Sequence, residues 1–337
     1  MNVLVTGGAG FIGSNFVRWM LERHADARVT TLDCLTYAGN LANLESVHAD
    51  PRHRFIRGDV ADPEAIERAF DAGVDAVVHF AAESHVDRSI SDAGPFLRTN
   101  VIGTGALLEA ARRRRVSRFL HVSTDEVYGS LGPEERASEE APLRPTSPYA
   151  ASKAASDLLV LSYARTHGLD VVVTRCSNNF GPFQFPEKVI PLFVTNALVD
   201  EPLPLYGDGA TVRDWIYVED HCAALDRLLV HGRSGEVYNI GAANEWTNRD
   251  LTREILCRVG KPESLVRRVA DRPAHDRRYA LDSTKIRREI GWEPAHSFAA
   301  ALDRTIEWYR ANEAWWQGVK SGEYRRFYDL WYGERLR

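Results

Sequence analysis

Asn2-Val3-Leu4-Val5-Thr6-Gly7-Gly8-Ala9-Gly10-Phe11-Ile12-Gly13 opens the chain, and its reading decides the fold. Residues 2–6 form a short apolar run of strand type, glycines follow at 7, 10 and 13, and Ser14 to Arg23 continues with helical character. Strand, glycine turn and helix in that order make a pyrophosphate cradle. Glycine has no Cβ to hold the backbone away from phosphate oxygens, and a helix N-terminus offers unpaired N–H groups and a favourable dipole. A second strand-like run, Arg28 to Leu32, ends at Asp33, twenty residues past Gly13, where a dinucleotide site places the acid that accepts from the adenosine ribose. A carboxylate there repels a 2′-phosphate, so NAD is expected rather than NADP.

Further strand-like runs follow at Phe55 to Val60, Ala76 to Ala82, Arg118 to Thr124 and Val171 to Cys176, with helical patterns between them at Pro95 to Arg115 and Tyr149 to His167. Alternating strands and helices predict an α/β protein with a doubly wound parallel sheet, a Rossmann domain whose ligands lie at the strand C-termini. After Asn178-Asn179-Phe180-Gly181-Pro182 the elements become short and irregular, which predicts a smaller mixed α/β substrate domain. The expected division is residues 1–180 for the dinucleotide domain and 181–337 for the second region. Segments around 212–245 are expected to pack back on the first, and the strand at Val237 to Ile240 with the helices at Val218 to Val230 and Asn248 to Val259 to pack on its sheet. The Trp- and Tyr-rich tail from Trp308 to Tyr332 reads as packing or interface, and Arg112 to Arg115 as a solvated helix end.

Forty-two basic against 47 acidic residues leave a formal charge of -5 among 337, a balance that argues against nucleic acid as partner. Cys34, Cys176, Cys222 and Cys257 are far apart and show no ligand spacing, so free thiols and no metal are expected. No charged-then-apolar leader opens the chain and no apolar run reaches membrane-span length. A cytoplasmic protein, mature as written, is expected.

Two motifs carry chemistry. Tyr149 and Lys153 stand at i and i+4 and share one helix face. A lysine ammonium and a cationic nicotinamide near a phenol lower its pKa, so that Tyr149 accepts an alcohol proton during hydride transfer, with Ser123 or Thr124 hydrogen-bonding the same alcohol. Asp125-Glu126, leaving the strand Arg118 to Thr124, is the unusual pair. Two carboxylates make poor core residues unless used, and burial with mutual repulsion splits their pKa values into an acid and a base.

With these motifs the chain resembles the extended short-chain dehydrogenase/reductase superfamily and, within its NAD-dependent epimerase/dehydratase family, the dTDP-glucose 4,6-dehydratases. The resemblance spans almost the whole length. It is carried by the glycine turn Gly7 to Gly13, Ala81 to Asp87, Ser123 to Tyr128, Tyr149 to Lys153, Ser177 to Pro182, Pro186 to Pro191, Arg213-Asp214-Trp215 and Asp271 to His275. The related epimerases share the glycine turn and the Tyr/Lys couple but usually lack the Asp-Glu pair.

The resemblance implies NAD held by Gly7, Gly10, Phe11, Ile12, Gly13, Asp33, Cys34, Leu35, Thr36, Asp59, Val60, Phe80, Ala81, Ala82, Ser84, Thr99, Tyr149, Lys153 and Asn179. It implies dTDP-glucose facing Ser84, Thr124, Asp125, Glu126, Asn178, Lys188, Val189, Pro204, Leu205, Tyr206, Arg213, Asn248, Asp271, Arg272 and His275. Arg213 and Arg272 would fork onto the diphosphate, Lys188 would add a point charge and Tyr206 would flank the base. The implied catalytic residues are Thr124, Asp125, Glu126, Tyr149 and Lys153, in a lyase that oxidises C4, eliminates water across C5 and C6 and returns the hydride to C6. In that scheme Tyr149 takes the 4-hydroxyl proton, Glu126 the C5 proton, and Asp125 protonates the leaving 6-hydroxyl; the residue types leave the order of the two carboxylates open. A homodimer through four helices, Pro95 to Arg115 and Tyr149 to His167 from each chain, is also implied. The alternatives are a UDP-sugar 4-epimerase or decarboxylase on the same scaffold, and a non-catalytic NAD-binding regulator.

Overall fold

The computed structural model describes residues 1–271, 273, 275–321 and 323–332. Seven parallel strands form the main sheet: β1 (Asn2–Thr6), β2 (Arg28–Asp33), β3 (His53–Arg57), β4 (Ala76–His79), β5 (Arg118–Thr124), β6 (Val171–Cys176) and, later in the chain, β10 (Glu236–Ile240). Their spatial order is β3-β2-β1-β4-β5-β6-β10, so the order reverses between β1 and β4 and a crevice opens there. Consecutive residues point to opposite faces. Val3 and Val5 join one buried cluster with Phe16 and Leu225, while Leu4 joins another with Ile66 and Leu107. A sheet covered on both faces needs strands apolar throughout, and every residue of β6 is buried.

Between β6 and β10 lie β7 (Asn178–Phe180), β8 (Leu203–Tyr206) and β9 (Val212–Tyr217), followed after β10 by β11 (Glu245–Thr247) and β12 (Val266–Val269). They form two small sheets, β11-β9-β7 and β12-β8, over a third cluster built with helices Val189–Leu198, Asn248–Val259 and Phe298–Ala311, so Asn248–Val259, expected on the main sheet, buries Leu251, Ile255 and Leu256 here instead. The helix Val218–His231 packs on Phe11–Arg23, so the chain returns to the first layer before leaving again. It returns once more, unannounced by its sequence, when Ile286, Ile290 and Trp292 enter the first cluster. The aromatic tail is packing: Tyr309 and Trp316 are buried and Tyr332 joins the third cluster.

Three boundaries differ from expectation. β3 ends at Arg57, where the Gly58 N–H turns to the Asp33 carbonyl, and β4 ends at His79, where the chain bends over the glycine turn. The expected single helix from Pro95 is three pieces: Gly94–Phe96, a π-type stretch Leu97–Gly103 and the helix Thr104–Arg114, closed by Arg115 at φ 55°. Such a bulge re-aims a side chain. Here it turns Asn100 inward, where its amide pairs with both the N–H and the C=O of Glu83 and with the Ser152 hydroxyl at 2.8 Å.

The helix Pro148–His167 has both end signals. The Ser147 hydroxyl accepts from the Ala150 N–H, Pro148 fills the first turn, and Gly168 takes the left-handed conformation at φ 65°. A cap of this kind is worth about 1 kcal/mol. Unusually, its buried face is polar, with Tyr149, Ser152, Lys153, Ser156 and Asp157 all inside.

Candidate active site

The C-terminal ends of β1, β2, β4, β5 and β6 open into one cleft. Gly7 adopts φ 70°, and a Cβ there would stand 2.6 Å from the Ala81 nitrogen; one on Gly13 would stand 2.2 Å from the Gly7 carbonyl oxygen. The turn therefore admits only glycine at both positions. It brings the first turn of Phe11–Arg23 to the cleft wall, where the leading N–H groups of a helix lack intrahelical partners. Asp33 accepts from the Ala9 N–H at 2.9 Å through one oxygen and from the Leu35 N–H at 2.8 Å through the other. Burial raises its pKa and those two bonds oppose the rise, so the carboxylate is held in place with lone pairs left for ribose hydroxyls. Cradle and acid together fit NAD.

Of the residues expected around the cofactor, Gly7, Gly10, Phe11, Ile12, Gly13, Asp33, Cys34, Thr36, Val60, Phe80, Ala81, Ala82, Ser84, Thr99, Tyr149, Lys153 and Asn179 line this cleft. Leu35 and Asp59 do not. Leu35 is turned by its φ of 56° to pack on the first cluster, and Asp59 caps the next turn through the Ala61 N–H.

Thr124 ends β5 and its hydroxyl accepts from the Glu126 N–H at 3.3 Å, capping the 3-10 turn Asp125–Tyr128 that delivers the acid pair. The two carboxylates differ. Asp125 is 3% exposed, its Oδ2 lacks a hydrogen-bond partner, and its pKa is pushed well above the carboxylate range by burial and then by the charge of Glu126, against the pull of Arg213. Both influences favour the protonated acid. Glu126 is half-buried on the cleft wall.

Tyr149 stands opposite. Burial and then the charge of Glu126 raise its phenol well above 10, while a hydrogen bond with Thr124 lowers it. The Lys153 ammonium, one turn away, donates to the Val122 carbonyl at 2.9 Å and is itself pulled down to about 8 by burial. Behind them, Asn179 Oδ1 accepts from His221 Nδ1 at 2.9 Å, and Cys176 donates to the Ser123 carbonyl.

Of the residues expected around the nucleotide sugar, Ser84, Thr124, Asp125, Glu126, Asn178, Lys188 and Val189 line the same cleft, and the Lys188 ammonium donates to the Ser84 carbonyl at 2.9 Å. Pro204, Leu205, Tyr206, Arg213, Asn248, Asp271 and His275 are not on its wall. Leu205 is core, the Tyr206 hydroxyl donates to Asp87 at 3.2 Å, and Asn248 donates to the Thr211 hydroxyl. His275 pairs with Asp271 at 2.5 Å. Arg213 donates to the carbonyls of Val212 and Asp276 and lies 4.2 Å over the Tyr279 ring. The expected diphosphate contact of Arg272 lies outside the described residues.

Sequence reading missed two groups. Glu187 is buried on the cleft wall with its pKa raised to about 7, burial outweighing Lys188 and Arg88. Its signal was a charged residue wedged between Pro186 and Lys188 in a segment already singled out. Tyr279 feels burial and the charge of Glu126, both raising its pKa, and donates to Asp276 at 2.6 Å. It stands on an irregular loop, Arg277-Arg278-Tyr279, which carries no periodic signal. Among the described residues no cluster of His, Cys, Asp and Glu is built to hold a metal, and no helix is long and apolar enough to cross a membrane.

The family model described as GDP-mannose 4,6 dehydratase matches residues 4–305. The dTDP-glucose 4,6-dehydratase of Streptomyces niveus is 54% identical over 325 residues, covering 95% of this chain and 96% of the relative. Among solved structures, DesIV, the dTDP-glucose 4,6-dehydratase of Streptomyces venezuelae with NAD and TYD bound, shows a TM-score of 0.93 and 56% identity over 95% of this chain and 100% of its own. The UDP-glucose 4-epimerase of Thermus thermophilus, in complex with NAD, shows 0.86 and 35% over 93% and 100%.

Proposed function

This chain belongs to the GDP-mannose 4,6-dehydratase family, and from that premise we propose that it converts dTDP-glucose to dTDP-4-keto-6-deoxyglucose and water. The observation that carries the reading is the pair Asp125 and Glu126: adjacent carboxylates in opposite environments, on the cleft wall beside Tyr149. Epimerisation at C4 needs a base for one hydroxyl; elimination needs a base at C5 and an acid at C6.

NAD, held by the glycine turn, Asp33 and Lys153, supplies when bound a hydride acceptor for C4 and a donor for C6, so the net redox change is zero. Tyr149, once its phenol is lowered by the bound cation, takes the proton of the 4-hydroxyl, with Thr124 hydrogen-bonded beside it. The resulting ketone acidifies the C5 hydrogen. Glu126 removes that proton as general base, and Asp125, kept protonated by its burial, gives its proton to the departing 6-hydroxyl. Glu126 then returns its proton to C5. Residues 181–337, apart from the returning segments, are assigned to the nucleotide sugar.

The reading includes a homodimer. Leu97, Ile102 and Leu158, on the segment Leu97–Gly103 and the helix Pro148–His167, are 53, 61 and 60% exposed, and their apolar surface supports pairing of this face with a second copy. Cytoplasmic residence is supported by four free thiols. The deciding experiment is product mass after incubation with dTDP-, UDP-, CDP- and GDP-glucose. Loss of one water with the dTDP sugar supports the reading, and an unchanged mass with a changed sugar supports the epimerase.

A further inference from the structure

The loop from Gly181 to Lys188 joins β7 to the helix Val189–Leu198 and gives the cleft one wall through Gln184, Phe185, Glu187 and Lys188. It has no sheet ladder to hold it. Phe183 adopts φ 67°, a left-handed value that costs a residue with a Cβ about 1–2 kcal/mol, so the surroundings must impose the conformation. They do so from both sides. From the dinucleotide layer, Asn15 donates to the Pro182 carbonyl at 3.0 Å, the Arg18 guanidinium lies 4.0 Å over the Phe183 ring, and the Tyr37 ring meets Phe185 edge-on at 5.4 Å.

From the other side come aromatic residues of the C-terminal segment. Trp308 packs on Phe183 with ring centroids 4.6 Å apart, and the Tyr309 hydroxyl donates to the Gln184 carbonyl at 2.5 Å. The buried Tyr324 hydroxyl donates to the Pro186 carbonyl at 2.9 Å, and its ring meets Phe185 edge-on at 5.7 Å. Gln184 also donates to the Asn179 carbonyl, on the cofactor side, whereas Pro186 is followed directly by Glu187 and Lys188, on the substrate side.

We propose that Tyr324 is a positioning residue for the reaction: by holding the Pro186 carbonyl and the Phe185 ring it sets where Glu187 and Lys188 meet the nucleotide sugar. The C-terminal segment thereby governs substrate affinity without lining the cleft. The inference rests on the dehydratase reading. A displaced wall costs binding energy wherever the sugar and diphosphate touch it, while the chemistry at Tyr149, Asp125 and Glu126, carried by β5 and the helix Pro148–His167, is left in place.

The test compares the parent enzyme with Y324F, which removes only the hydroxyl, and Y324A, which removes the ring as well. The measurements are NAD content, melting temperature, kcat and KM with dTDP-glucose, and dTDP affinity by calorimetry. Y324F is expected to keep the parent's NAD content and melting temperature closely, and to raise KM and weaken dTDP binding about 3- to 10-fold, the worth of one neutral hydrogen bond, with kcat moved less than KM. Y324A shifts both further in the same direction. An unchanged KM and dTDP affinity in both variants overturns the inference, as does NAD loss in step with the rise in KM, which marks a general loosening. A parent that takes no water from dTDP-glucose overturns the dehydratase reading itself; a working parent with unaltered variants overturns the role of Tyr324 alone.

Discussion

Asp125 and Glu126 are consecutive in the chain, yet only Asp125 is sealed from water, 3% exposed, with one carboxylate oxygen lacking a hydrogen-bond partner. The 3-10 turn capped by Thr124 produces this split, since neighbouring side chains on so tight a turn point in different directions. Burial favours the protonated form of Asp125, and the charge of Glu126 reinforces that preference. D125N and E126Q are expected to slow water loss about 10²- to 10⁴-fold while C4 oxidation persists, so that reduced-cofactor absorbance accumulates on the enzyme. Parent-like dehydration by both variants would remove the acid/base assignment.

The same burial carries a stability sign. A carboxylic acid whose folded pKa lies above its unfolded value binds more protons when folded, so stability falls as pH rises through that interval. D125N has nothing to ionise. It is expected to melt above the parent at neutral pH, with the difference shrinking as pH falls toward the ordinary carboxylate range; a constant difference at every pH would contradict the burial argument.

Lys153 obeys the opposite arithmetic. Its pKa falls from 10.5 to about 8 because burial disfavours the ammonium, against the raising influence of Asp157 and then Cys176. The folded state therefore binds fewer protons between those values, and stability rises with pH across them. K153M, of similar volume, is expected to lose most C4 oxidation yet unfold at higher urea than the parent below pH 8, by on the order of 1–3 kcal/mol, with the gain fading toward pH 10. Urea melts at three pH values across that range decide it.

Much of this centre was legible because its parts are local. The glycine turn, Asp33 at its fixed spacing, the Tyr149/Lys153 couple and the Asp125-Glu126 pair each lie within one strand–turn–helix unit, where periodicity and turn chemistry speak directly. Tyr279, by contrast, feels the charge of Glu126 from an irregular loop, its hydroxyl on Asp276 and Asp276 in turn accepting from the distant Thr146. The π-type stretch at Leu97–Gly103 was equally silent, since what it serves is tertiary: Asn100 bonds to Glu83 and Ser152, and a Cβ on Gly103 would stand 2.7 Å from Val60. Tyr206 was placed at the base by resemblance, whereas its hydroxyl is engaged with Asp87 and with Trp331 at 2.6 Å.

Asp33 tests cofactor choice. Its two oxygens are fixed by the Ala9 and Leu35 N–H groups, bonds that favour the charged form, and a carboxylate held there would repel a 2′-phosphate. D33N keeps the shape and removes that charge. Retained NAD is expected to drop and the NAD/NADP preference to narrow by about tenfold or more, measured by reconstitution with each dinucleotide; an unchanged preference would show that Asp33 does not face the 2′ position.

Beneath the catalytic helix, Asp157 and Arg175 form an ion pair at 2.8 Å with side chains 0 and 3% exposed, and Arg175 also donates to the Tyr128 hydroxyl, which donates to Asn239. Asp157 lies one turn beyond Lys153 on the same buried face, and its pKa is held below the usual carboxylate value despite burial, by bonds with His121 and by the charge of Arg175. Replacing both charges with apolar groups could cost little, but removing Arg175 alone leaves a buried carboxylate without its strongest cation. R175M is expected to lose about 3–5 kcal/mol in urea unfolding, and the double variant D157L/R175M to recover part of it. Because the penalty comes from an unpaired anion, the loss in R175M should lessen at acid pH, where Asp157 takes up a proton. A loss independent of pH, with no recovery in the double variant, would mean that Arg175 acts through packing alone.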